Sequence, residues 1–137
     1  MNDAAAIRTF LYAGDAIFTI KSAKTGTHYT YNVEKSKPNP KFPNPIFFVG
    51  VLTGPDNTRD YTFMATLTDR GDVRAGKNVR STQPSLQAFV WFMRQLWEGP
   101  RLPASVEFYH VGRCGRCKRQ LTEPESITIG IGPECRR

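Results

Sequence analysis

IFFVGVLTGPDNTRDYTFMATL, residues 46–67, places two apolar, β-rich runs on either side of a turn. Ile46 to Leu52 is a nearly continuous apolar run of strand length and reads as the central strand of a sheet. TGPDNTRD then turns the chain into Tyr61 to Leu67, so a β-hairpin is expected.

Upstream, Ala16 to Lys21 and Thr27 to Lys35 are rich in β-branched and aromatic residues, with SAKTG as a turn between them. In the second of these strands Tyr29, Tyr31 and Val33 share one face and His28, Thr30 and Asn32 the other, so one face should be buried. Four prolines between Lys35 and Pro45 forbid regular structure and predict an exposed, basic loop. Arg70 to Arg80 mixes basic residues with glycine and reads as an ordinary surface loop or as a mobile connection open to phosphate. From Pro84 onward, Leu86, Phe89, Val90, Met93, Leu96 and Trp97 recur at three and four residues, the stripe of an amphipathic helix over about 83–98 that Gly99 and Pro100 stop. Trp91 and Phe92 fall off this stripe or at its margin. Ser105 to His110 reads as a last strand.

The expected fold is therefore α+β: an antiparallel sheet covered by one amphipathic helix, followed by a small C-terminal zinc knuckle. Residues 1–104 would form the β-rich domain and 105–137 the knuckle module. A chain of 137 residues with 39% apolar and 12% aromatic content can fill one core. No stretch reaches the roughly 18–20 apolar residues of a membrane span, and MNDAAAIRTF lacks the order of a secretory signal, so a cytoplasmic location is expected.

All three cysteines lie between Cys114 and Cys135. Three cannot all pair within one chain, and a reducing compartment disfavours disulfides, which leaves metal or reactive-thiol chemistry. Cys114 and Cys117 form C-x-x-C, the spacing at which a tight turn aims two sulfurs at one ion, and Cys135 adds a third. A closed tetrahedral site needs one more ligand. His110 offers it in the order H-x3-C-x2-C-x17-C, while His28 reads as a strand-face residue. Four protein ligands leave no place for water, so one structural Zn²⁺ per chain is expected. The rival is a redox pair, since Arg113, Arg116, Lys118 and Arg119 would favour thiolates. Against it, the pair follows a strand and has no long helix after it. Thr122 to Glu125 has capping-box spacing, which predicts a helical turn over Pro124 to Thr128, and Gly130, Gly132 and Pro133 would bend Cys135 back to the site.

From His110 onward the chain resembles a small zinc-knuckle domain of unknown function found in bacterial and bacteriophage proteins. The match runs through His110, Cys114 and Cys117, Leu121-Thr122, Pro124 and Ser126, Gly130, Gly132-Pro133 and Cys135; Lys118 stands where the pattern has glycine. TGTHYTYNV, FFVGVLTGPDN and RQLWEG resemble, more loosely, the β-rich region that accompanies this knuckle in small phage proteins. The resemblance implies a zinc-bearing phage or mobile-element protein and carries no activity with it.

The formal charge of +7 points to anionic partners. Nucleic acid, bound as single strands or without regard to sequence, is the first expectation. Arg113, Arg116, Lys118, Arg119, Arg136 and Arg137 would neutralise phosphate, and Tyr29 or Tyr31 would stack on bases. The second is a protein partner, the chain acting as an inhibitor of a host defence or nucleic-acid-processing enzyme. No Ser/His/Asp order, phosphate-binding glycine loop or paired carboxylates in a plausible site are present, so no enzymatic activity is expected.

Overall fold

The start of the chain folds as a helix that the strand pattern does not announce. Helix α1 spans Ala4–Leu11; Asp3 caps it, its Oδ1 accepting the Ala6 N–H at 2.9 Å. Ile7, Phe10 and Leu11, at helical spacing, bury completely. The computed structural model describes residues 2–41, 43–56 and 58–136.

After α1 the chain runs through β1 (Asp15–Ser22), β2 (His28–Lys35), β3 (Ile46–Leu52), β4 (Tyr61–Thr68) and the short β5 (Val73–Ala75). Helix α2 (Pro84–Glu98) then leads to β6 (Val106–His110), and two short helices complete the chain, α3 (Pro124–Ile129) and α4 (Pro133–Arg136). All six strands form one sheet in the order β5-β4-β3-β2-β1-β6, with every neighbouring pair antiparallel. The α+β reading holds, and β3 lies in the middle of the sheet as expected. The segment expected as a mobile connection instead supplies β5, whose Val73 pairs with Leu67.

Alternation decides which side chains meet the helices. Phe18, Tyr31, Val33, Phe47, Val49 and Leu67 point to one face and form a single core with α1 and α2. Tyr31 is fully buried there, and its hydroxyl donates to the Ser85 carbonyl at 2.7 Å. The covering layer thus holds two helices rather than one, joined where Arg8 donates to the Leu96 carbonyl.

The buried stripe of α2 is rotated from the expected one. Phe92 is fully buried, stacked on Phe108 at 5.8 Å and 4°, whereas Trp97 stays 46% exposed. The reason lies in the neighbours: β6 brings Phe108 under one side of α2, while Trp97 lies at the edge against the Arg8 guanidinium, Tyr12 and Gly71. Among the described residues no helix is long and apolar enough to cross a membrane.

Strand β6 belongs to the main sheet, since Val106 and Phe108 sit in its core. The segment beyond β6 docks on the α1–β1 junction. The Asp15 N–H donates to the Gly115 carbonyl at 2.7 Å, and Gly115 and Gly130 lie against Phe10 so closely that an added Cβ would stand 3.3 and 2.9 Å from its Cδ1.

Candidate metal centre

Beyond β6 the chain turns at Gly112 and makes a small hairpin. Arg113 bridges Gln120, the Cys114 N–H donates to the Arg119 carbonyl and the Lys118 N–H to the Cys114 carbonyl. Cys114 and Cys117 occupy its turn. Lys118 takes the left-handed conformation, φ 62°, that the glycine of the resembled pattern would adopt freely. The turn keeps its tightness, then, with a lysine in a glycine's conformation. Helix α3 ends on Gly130, also left-handed at φ 76°, and α4 carries Cys135 back beside the hairpin.

The three sulfurs lie within 4.8 Å of one another. Tetrahedral thiolate ligands on one zinc-sized ion stand about 3.8 Å apart, from a metal–sulfur bond of ~2.3 Å. A contraction of about 1 Å or less therefore brings the set onto a metal, and the donor chemistry suits a thiophilic cation. The surroundings agree. The Arg116 N–H points at Cys114 Sγ at 3.4 Å, and Cys114 is buried with Leu121 and Ile131 in a second small core. Burial acts to raise the Cys114 pKa, but N–H groups of Gly132, Arg116 and Cys117 outweigh it and bring the thiol down to about 7. Cys135 is pushed up to about 11 by desolvation and by the two sulfurs beside it.

His110, expected as the fourth ligand, is not brought into this cluster. Its Nδ1 accepts the Gly112 N–H at 3.0 Å, which places the proton on Nε2, 2.5 Å from the Ile127 carbonyl. Its ring lies on Phe10 at 5.5 Å. Both nitrogens are thereby engaged, Nε2 with α3 and Nδ1 with the turn that follows β6. Among the described residues no histidine, aspartate or glutamate joins the three sulfurs. The pair Cys114/Cys117 sits in a hairpin turn rather than at the start of a long helix, the context a redox motif would need.

The cations expected to meet phosphate are mostly engaged elsewhere. Lys118 pairs with Asp15 at 3.2 Å and Glu34 at 3.9 Å, and Arg136 with Glu123 at 3.5 Å and Glu125 at 3.4 Å. The Thr122–Glu125 capping box does not form: the cap position of α3 is Glu123, one residue later than the box requires, with no side-chain bond. Arg113 and Arg116 donate to the carbonyls of Lys118 and Cys135. Arg119 is exposed, and Arg137 lies outside the described residues. Tyr31 cannot stack on a base, because it is fully buried; Tyr29 is half-buried against the same core. Sequence reasoning missed Phe10, although Asp3 and the spacing of Ile7, Phe10 and Leu11 signal its helix.

An antiparallel sheet under two helices with a three-cysteine, metal-ready tail defines an α+β protein with a C-terminal metal-binding module. The comparisons agree for that module: a family model described as a family of unknown function (DUF6011) matches residues 104–137. No curated protein and no solved structure matches the chain.

Proposed function

We propose that this protein is a zinc-stabilised, non-enzymatic nucleic-acid-binding protein that takes single strands, or strands of any sequence, on a basic surface. Cys114, Cys117 and Cys135 hold one Zn²⁺ in a structural role, fastening the tail to the α1–β1 junction. The zinc supplies a cross-link among short segments whose own core is limited to the small cluster around Cys114, Leu121 and Ile131.

The observation that carries the binding reading is how little of the positive charge is neutralised internally. Among the described residues, Lys118 and Arg136 alone approach a carboxylate within 4.0 Å, so most of the positive charge of a +7 chain is left without an ion-pair partner. Such a surface concentrates polyphosphate near it. Helix α2, the longest helix among the described residues, buries Leu86, Phe89, Phe92, Met93 and Leu96 and carries a single cation, Arg94, on its outer face, which favours backbone binding over reading base edges in a groove.

Titration of labelled single-stranded and duplex DNA and RNA at two salt concentrations tests this. Affinity that falls steeply with salt is expected, and no binding of any polymer at low salt refutes the reading.

A further inference from the structure

The face of the sheet opposite the helices is uncovered. On β3, Phe48, Gly50 and Leu52 point to it, and the bulge at Val49/Gly50 brings Phe63 of β4 opposite Gly50 on the same side. Phe48 and Phe63 stand 45% and 49% exposed, with ring centroids 6.2 Å apart and planes at 70°. The floor beside them is tightly built: a Cβ at Gly50 would meet Asn32 Oδ1 at 2.4 Å. The proline-rich loop rises next to Phe48 and leaves a groove of about 1020 Å³ that Lys35, Lys37 and Thr66 also line. Arg74 pairs with Thr66 from β5 and is exposed, while its neighbours Val73 and Ala75 face α2.

Two adjacent half-exposed rings call for an occupant, and the charges beside them select it. Lys35, Lys37 and Arg74 have no carboxylate within 4.0 Å among the described residues. Glu34, the cross-strand neighbour of Phe48 on this face, is held by Lys118 and Asn32. A partner's apolar helix would bury these cations unpaired, and a base-paired duplex offers no open base face. A single strand offers both π-faces and phosphates at one-nucleotide spacing. Tyr109, 49% exposed on the same face, is a poorer platform because its hydroxyl donates to the Glu107 carboxylate, a negative charge beside the ring.

We infer that Phe48 and Phe63 are a base-stacking platform for single-stranded nucleic acid, with phosphates running along Lys35, Lys37 and Arg74. This rests on the nucleic-acid reading above and gives it a surface on the β-sheet rather than on the tail.

The test is fluorescence anisotropy of labelled 12-nucleotide single-stranded DNA and RNA against the full, zinc-loaded chain. Loss of one stacked base predicts binding weaker by about 5- to 150-fold in Phe48→Ala or Phe63→Ala. Phe63→Trp should restore what Phe63→Leu loses, a pattern that packing alone would not give. Lys35→Gln with Lys37→Gln should lower the salt slope by about 0.7 for each phosphate that is no longer neutralised. Circular dichroism and zinc content confirm that each variant is folded. If wild type binds and both alanine variants bind equally well, the platform is wrong and the nucleic-acid reading survives. If wild type binds no single strand at low salt, the platform is wrong, and the nucleic-acid reading falls with it when duplex DNA and RNA are not bound either.

Discussion

Gly130 and Gly112 both adopt left-handed backbone, at φ 76° and 79°, yet their surroundings differ, and the difference measures how firmly the tail is seated. An alanine at Gly112 would meet nothing within 4 Å, so Gly112→Ala carries only the left-handed penalty of about 1–2 kcal/mol. An alanine at Gly130 carries the same penalty and also places Cβ 2.9 Å from Phe10 Cδ1. Phe10 cannot yield cheaply. It is fully buried, edge-on to Phe18 at 6.5 Å and Phe108 at 5.9 Å, with His110 on its face. Overpacking against such a wall costs about 1–3 kcal/mol more, so Gly130→Ala should lose about 2–5 kcal/mol in all. Urea unfolding of the zinc-loaded protein reads both values, and Phe10→Leu in the Gly130→Ala background should recover part of the second loss. Equal costs for the two glycine variants would show that Phe10 does not hold the tail, and the docked arrangement would be refuted.

Cys135→Ser should abolish stoichiometric zinc by elemental analysis and loosen residues 111–136 to protease; a variant that keeps one zinc per chain would remove Cys135 from the site. His110→Ala should retain its zinc while losing about 0.5–1.5 kcal/mol, the net value of its exposed hydrogen bond to the Ile127 carbonyl. Loss of metal from a folded His110→Ala protein would instead make His110 a ligand. At Lys118 the usual order should reverse: Lys118→Gly should exceed Lys118→Ala in stability by about 1 kcal/mol by thermal midpoint, since φ is 62° there. Burial holds the Tyr12 phenol neutral and raises its pKa from 10.0 to about 12. A pKa raised on folding gives stability that is complete below pH 10 and drains as pH rises towards 12, so urea midpoints should fall across that window and Tyr12→Phe should flatten the fall.

Most of the sheet is legible in the sequence because hydrophobic alternation and turn residues are local signals. The run Ile46 to Leu52 has the same bounds as β3. That run hides one thing, its outward face, because a phenylalanine at 48 looks the same in sequence whether or not a second layer covers it. The position of helix α2 is legible but its rotation is not: the expected stripe includes Trp97, and only the placement of β6 buries Phe92 in its stead. Helix α1 is short and alanine-rich, and its significance comes from the tail it supports. The three cysteines are legible from spacing, since ligand geometry limits spacing. The fate of His110 is not, because its partners, the Ile127 carbonyl and Phe10, lie 17 residues downstream and in another helix.

The place of β6 governs the order in which this chain can assemble. Strands β1 to β5 pair each with its predecessor, so they can form by successive hairpins, whereas β6 must return across α2 to pair with β1, matching Phe108 to Ile20. That closure joins distant parts of the chain and should be the late step in folding. Until it occurs, β1 is a bare edge strand with Phe18 and Phe92 uncovered, a template for pairing with another copy. Deleting residues 105–137 would therefore leave an aggregation-prone sheet rather than a trimmed domain, and a metal held by the three cysteines, by securing the segment after β6, would act as a guard against misassembly.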